Sequence, residues 1–372
     1  MTRRKIVTIV GTRPEVIKMA PVIREIARRS SIFDQTIVST AQHRQMLDQV
    51  LVAFAIEPDI DLGLMEPNQD LAGFASRSLL SLSKLLSEVK PDAVLVQGDT
   101  TTAMTAALGA FYQGIRVGHI EAGLRSFDRY QPFPEEINRR LVGCLASLHF
   151  APTPRARLNL LREGVPEEDV FVTGNTIVDA LESISLGTAF DDPQLAGLDE
   201  SRNRLLLVTA HRRENLGAPL RSICNSLKTL TGRFVDLEVV YPVHLNPNVA
   251  AVVREELGDT ERIHLVAPVS YPDMLRLMKR CYLILTDSGG VQEEAPSFSK
   301  PVLVLREVTE RPELVEANAG IIVGTETHRI VDAAAHLLTD RDAYAQMSTV
   351  ANPFGDGHAA ERIVDIMARC FV

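Results

Sequence analysis

Short runs rich in aliphatic and β-branched residues alternate with longer segments of helical periodicity, and the alternation passes along the chain twice. That pattern leaves few options. Parallel strands cannot be joined by a tight turn, so each needs a crossover helix, and the helices then cover both faces of the sheet. In the first half, strands are expected at 6–10, 36–39, 93–97, 117–120 and 148–151, the last of them closing that half. Helices are expected at 14–29, 44–54, 70–89, 103–113 and 135–146. The second half repeats the scheme with strands at 205–209, 237–241, 264–266, 282–285, 302–305 and 320–323. At 372 residues the chain is too long for one ordinary core, and a 45% apolar content supplies two. The expected fold class is α/β, with two Rossmann-like domains facing one another across a cleft. The first spans 1–172 and the second 173–357, with a linker in 173–200. A last helix, 358–372, follows the break PFGDG and packs back on the first domain.

Composition narrows the function classes. A formal charge of −9 lacks the basic footprint that a standing nucleic-acid partner requires. A nucleotide ligand stays open, because a few local cations suffice for it. Cys144, Cys224, Cys281 and Cys370 are scattered, which fits reduced thiols in a cytoplasmic protein and offers no zinc spacing. The opening MTRRK and the short IVTIV run are too brief for a signal peptide. No apolar stretch approaches the roughly 20 residues that span a bilayer, so no membrane is expected. No histidine pattern calls for a metal.

The chemistry-bearing motifs follow strands. QGDT at 97–100, HIEAGLR at 119–125, PFPEEINRR at 132–140 and TAHRREN at 209–215 place Asp99, Glu121, Glu135 and His211 just past strand-like runs. In an open α/β sheet the ligand crevice lies outside the carboxyl ends of the strands, and several carboxyls there point to proton transfer. Each has a plainer reading: Asp99 as a helix N-cap, Glu121 in a salt bridge with Arg125, Glu135 paired with Arg139 one turn on, and His211 in a polar loop. GTRPE at 11–15 supplies a turn glycine, Gly11, and Arg13 near a helix start, with Lys18 one turn later. DSGGVQEE at 287–294 would present Ser288, Gly289 and Gly290 N–H groups to a phosphate. Its Glu294 suits a ribose diol. Two adjacent glycines weaken a helix unless close backbone approach is needed.

The motifs GTRPEVIKMAP, AQHRQMLDQVL, VQGDTTT, HIEAGLRS, PFPEEINRR, TAHRRENLG, PVHLNP, LTDSGGVQEEAP and REVTERPE occur in one order across 11–313. Together they resemble the bacterial non-hydrolysing UDP-N-acetylglucosamine 2-epimerases. The resemblance implies a glycosyltransferase-B type fold and reversible conversion of UDP-GlcNAc to UDP-ManNAc. The route it implies is elimination to 2-acetamidoglucal and re-addition of UDP, with no cofactor and no metal. It assigns Asp99, Glu121 and Glu135 to acid/base work, and His211 to the diphosphate or to proton transfer. Arg13, Lys18, Ser288, Gly289, Gly290, Glu294 and Arg311 would bind UDP. Val269 and Met274 stand where some members carry Gln and Phe, so backbone contacts to uracil are expected there. A second, activating UDP-GlcNAc would use Gln42, His43, Gln45, Arg77, Glu136, Arg212 and His244. A homodimer and a role in cell-envelope polysaccharide synthesis are also implied. The alternatives are an epimerase for a diacetamido-uronic acid nucleotide and a UDP-sugar glycosyltransferase, which has no use for acids on both faces of C2.

Overall fold

The computed structural model describes residues 3–42, 44–66, 69–184, 186–187, 189–200 and 202–371. Its contacts divide the chain into two compact units. One comprises Met1–Ile184 with Phe354–Val372, the other Ser185–Pro353.

The first unit holds seven strands: β1 (Arg4–Val10), β2 (Phe33–Ser39), β3 (Ile60–Asp61), β4 (Ala93–Gln97), β5 (Arg116–Ile120), β6 (Leu148–Ala151) and β7 (Val170–Val172). They form one sheet in the order β3-β2-β1-β4-β5-β6-β7. Every pairing is parallel. The second unit holds β8 (Arg204–Thr209), β9 (Leu237–Pro242), β10 (Ile263–Val266), β11 (Leu283–Thr286), β12 (Val302–Val304) and β13 (Gly320–Ile322). Their order is β10-β9-β8-β11-β12-β13, again all parallel. Both are doubly wound sheets whose strand order reverses beside the first strand of the unit. The reversals lie between β1 and β4 and between β8 and β11. Helices on both faces explain why central strands such as β4, AVLVQ, are buried at every position.

Three sequence expectations need correction. The first half does not close at β6, because β7 pairs beside it. Three residues, only one of them buried, carry too little periodicity to be read as a strand. The stretch 173–200 is not simply a linker. Its helix Thr176–Ser183 packs on the helices Arg13–Arg28 and Ala359–Phe371, so the boundary falls at 184/185, not at 172/173. Asp179 fixes that packing by accepting the Ala360 N–H at 2.8 Å. The helix Ala359–Phe371 thereby groups with the first unit. Gly11, finally, has no left-handed φ. A Cβ there would stand 2.3 Å from both Thr40 Oγ1 and Thr102 Oγ1, so glycine is required by close packing of three chain segments. Among the described residues no helix is long and apolar enough to cross a membrane.

Candidate active site

In the first unit the carboxyl ends of β1, β4 and β5 gather the acids. Gly98 follows β4 with φ +70, and its N–H donates to Ile120 O at 2.9 Å. His119 Nε2 bonds Gly98 O at 2.8 Å from within β5. Burial drives the His119 imidazole down to about 3, so it is neutral and serves as a buried tie behind the turn that carries Asp99. Asp99 is not the N-cap. That place belongs to Thr100, whose Oγ1 accepts the Ala103 N–H at 3.0 Å and starts the helix Thr101–Phe111. The Asp99 carboxylate instead receives Arg139 Nε at 3.1 Å, and Asn138 Nδ2 donates to Asp99 O at 3.0 Å. Asn138 and Arg139 lie three and four residues beyond Glu135 on the helix Glu135–Leu145, so Glu135 shares the helix face that meets Asp99.

Glu121 follows β5 directly and holds φ +64. A non-glycine residue pays about 1–2 kcal/mol for that conformation, and such outliers concentrate at functional sites. Its partner is Lys18, not Arg125. Lys18 Nζ and Glu121 Oε2 form a close ion pair, with side chains 8% and 7% exposed. Asn175 Nδ2 also donates to Glu121 Oε2, at 3.2 Å. Arg125 pairs with Glu163, Nη2 to Oε2 2.6 Å. An ideal Cβ on Gly98 would lie 3.9 Å from Glu121 Oε1, which places the Asp99 turn beside Glu121.

Glu15 was not singled out from the sequence. It forms a capping box with Thr12, accepting the Thr12 N–H at 2.7 Å, and also takes Gly11 N–H at 2.9 Å and Thr12 Oγ1 at 2.9 Å. Thr100 Oγ1 donates to its other oxygen at 2.5 Å. Glu15 therefore ties the β1 turn to the β4 turn across the switch point. Burial pushes its carboxyl up to about 7, against the four hydrogen bonds that pull it down. The signal T-x-x-E was present at 12–15. Arg13, the first residue of its helix, is half-buried.

Glu136 is fully buried and anchors the preceding loop. It accepts the Ser126 and Phe127 N–H groups at 2.9 and 3.2 Å and pairs with Arg139 and Arg140. Gln42 accepts from Thr102 Oγ1 at 2.9 Å. Gln69 Nε2 reaches Gln42 O at 3.4 Å, and Arg77 Nη2 donates to Gln69 Oε1 at 3.0 Å, so Gln42 and Arg77 belong to one linked group. His43 lies outside the described residues, as does the side chain of Gln45.

In the second unit the turns after β8 and β11 meet at the switch point, with Thr209 paired to Thr286. Asp287, immediately after β11, is completely buried. It accepts the His211 N–H and the Arg212 N–H, each at 2.8 Å, and Asn215 Nδ2 at 2.9 Å. One carboxylate thus shapes the whole TAHRREN loop. His211 stacks on His244, ring centroids 5.0 Å apart and planes at 10°. His244 Nδ1 accepts the Asn246 N–H at 3.0 Å.

Ser288 stands at the N-cap of the helix Gly289–Glu294 and makes no side-chain capping bond. A Cβ on Gly289 would lie 3.5 Å from Arg311 Nη2 and 3.8 Å from Arg212 Nη2, so two guanidinium groups flank this helix start. A Cβ on Gly290 would meet only Ser288 Oγ, at 3.9 Å. Neither φ nor packing within the unit calls for glycine at 290. Arg311 is held by Glu293, Nε to Oε1 2.6 Å, and by Glu310 at 3.2 Å. Glu294 is 6% exposed, and its Oε1 accepts from Tyr271 Oη at 2.8 Å. Val269 is buried and Met274 half-buried beside the start of the helix Tyr271–Arg280.

Each set has a chemistry. The first unit offers three carboxylates, one of them matched to a buried ammonium, which suits proton transfer. The second offers backbone N–H groups and guanidinium groups for an anion.

The protein-family model described as UDP-N-acetylglucosamine 2-epimerase matches residues 24–368. The Bacillus subtilis UDP-N-acetylglucosamine 2-epimerase is 50% identical over 365 residues, covering 98% of this chain and 95% of the relative. The Neisseria meningitidis UDP-GlcNAc 2-epimerase, solved bound to UDP-GlcNAc, is 43% identical with a TM-score of 0.90, covering 98% of this chain and 100% of the other. The Methanocaldococcus jannaschii enzyme, solved in complex with UDP-GlcNAc and UDP, is 36% identical with a TM-score of 0.83, covering 98% and 99%. The fold is glycosyltransferase-B-like, and the chain belongs to the UDP-N-acetylglucosamine 2-epimerase family of isomerases.

Proposed function

We propose that this chain interconverts UDP-GlcNAc and UDP-ManNAc without hydrolysis, by elimination and re-addition of UDP. A base takes the C2 proton, the C1–O bond to the diphosphate breaks, and 2-acetamidoglucal forms. UDP then adds back at C1 and a proton returns to the opposite face of C2. Bonds and electrons balance with no redox partner. The C2 proton of a sugar is not acidic, so its removal needs an assisted departure at C1, and inversion needs proton-handling groups on both faces. Asp99, Glu121 and Glu135 supply those groups. Lys18 forms a buried ion pair with Glu121. Ser288, Gly289, Gly290, Arg13 and Arg311 hold the diphosphate, His211 assists its departure, and Glu294 faces the ribose.

The observation that carries this reading is the meeting of Asp99 and Glu121 past the ends of β4 and β5, Glu121 in a strained left-handed conformation, with Glu135 on the helix whose Asn138 and Arg139 bond Asp99. Relatives solved with UDP-GlcNAc and with UDP support the substrate class. Gln42, His43, Gln45, Arg77, Arg212 and His244 bind a second UDP-GlcNAc as activator, with Glu136 holding the adjoining loop. The enzyme works as a cytoplasmic homodimer that feeds cell-envelope polysaccharide synthesis. Product analysis after incubation with UDP-GlcNAc tests the reaction: a mixture in which UDP stays attached supports it, and free ManNAc with UDP rejects it. Brisk turnover of pure UDP-ManNAc as sole substrate would reject the activation.

A further inference from the structure

The turn after β11 holds a carboxylate that the reaction scheme does not yet use. Asp287 is completely buried, and every bond to its Oδ2 comes from the TAHRREN loop: His211 N–H, Arg212 N–H and Asn215 Nδ2. Its second oxygen, Oδ1, is buried with no hydrogen-bond partner among the described residues. His211 Nδ1 lies 3.6 Å from Oδ1. A buried carboxylate oxygen is rarely left unsatisfied. Catalytic hydrogen bonds are often long before substrate tightens them.

We propose that Asp287 is the positioning residue of His211. It fixes the ring with Nδ1–H directed at Asp287 Oδ1, so that Nε2 is the atom presented to the departing diphosphate. The backbone geometry favours this, because the same carboxylate that pins the His211 N–H also faces its ring. The charged surroundings fit as well. Arg212 follows His211 in the chain, and Arg311 stands across Gly289 from Arg212. Asp287 is the carboxylate that faces the His211 ring beside those guanidinium groups. The ring stacked on His211, that of His244, accepts at Nδ1 from a backbone N–H, so that nitrogen carries no proton.

The assignment rests on His211 serving the diphosphate step of the proposed reaction, but its first test does not. In the unaltered full chain labelled with ¹⁵N-histidine, long-range ¹H–¹⁵N correlation should show neutral His211 as the Nδ1–H tautomer. A bare Nδ1 in that state overturns the proposal whatever the substrate proves to be. The second test is Asp287→Asn. The amide oxygen still accepts the loop N–H groups, while its NH2 faces Nδ1 and favours the opposite tautomer. With UDP-GlcNAc, kcat should fall about 100-fold, within the contribution of one acid–base group. KM should stay within about threefold. An unchanged kcat, or a rise in KM alone, overturns it. If unaltered enzyme shows no C2 exchange, the reaction scheme fails and the tautomer result stands on its own.

Discussion

Replacing the buried Lys18–Glu121 pair separates what the pair does for stability from what it does for function. Both side chains are less than a tenth exposed. Removing one member of such a pair leaves the other charge buried, which costs about 3–5 kcal/mol. Asn175 still donates to Glu121 when Lys18 is lost, so Lys18→Met belongs at the low end, about 3 kcal/mol. Glu121→Met strands the Lys18 ammonium and should cost about the same. The left-handed φ of residue 121 is common to Glu and Met and cancels. The double replacement removes both charges and lets two apolar side chains meet. It should cost no more than about 3 kcal/mol, half the sum of the singles, a coupling of about 3 kcal/mol. A whole-chain melt would mix two compact units. The suitable assay is native-state hydrogen exchange at the Gly98 amide, which bonds Ile120 O at the edge of this site. All three variants should lack epimerase activity. A double variant that costs about 6 kcal/mol, the plain sum, refutes the reasoning, because the two charges would then be independent of one another.

Glu15 gives a pH signature. Its carboxyl is raised from 4.5 to about 7 by burial, so the native state binds this proton more tightly than the unfolded chain. The stabilisation is complete below pH 4.5 and is lost as pH rises through about 7, by about 3 kcal/mol in all. Glu15→Gln should remove that slope, and the stability difference between the two proteins should drift by this amount between pH 4 and 8 in urea titrations followed by the same amide. A pH-independent difference would mean that the four hydrogen bonds cancel the effect of burial, and a slope of opposite sign that they outweigh it. Gly290→Ala should leave the fold as stable or up to about 1 kcal/mol more so, since a Cβ there meets nothing closer than 3.9 Å. UDP affinity measured calorimetrically should fall at least tenfold, and unchanged affinity would exclude close backbone approach at this helix start.

Much of the fold was legible because strand-length apolar runs and helix-length periodic segments alternate so regularly. The chemistry at strand ends was legible for the same reason: Asp99, Glu121 and His211 each sit one or two residues past a buried strand. What escaped was short or tertiary. β3 and β7, at two and three residues, fall below any periodic signal. The partner of Glu121 is 103 positions away, so nearby Arg125 was the natural but wrong choice. Arg139 is suited to Glu135 one turn before it, and its bond to Asp99, 40 positions away, has no sequence signal. Glu15 and Asp287 stand inside the motifs, but their importance comes from what they accept: T-x-x-E signals the bond from the Thr12 N–H to Glu15, whereas nothing in sequence marks Asp287 as the acceptor of N–H groups 75 and 76 positions away. The glycines divide similarly: Gly11 is a packing requirement, whereas Gly290 keeps a helix start open.

The central claim is that a proton leaves C2 and returns from solvent-exchanged groups while UDP remains part of the product. Incubation of the full chain with UDP-GlcNAc in deuterated water, followed by NMR, tests it directly. The account predicts an equilibrium mixture with UDP-ManNAc in which C2 carries deuterium in both sugars. Glu121→Gln should abolish that exchange while UDP binding stays largely intact. Epimer formed with hydrogen retained at C2, or no exchange at C2 at all, would contradict it.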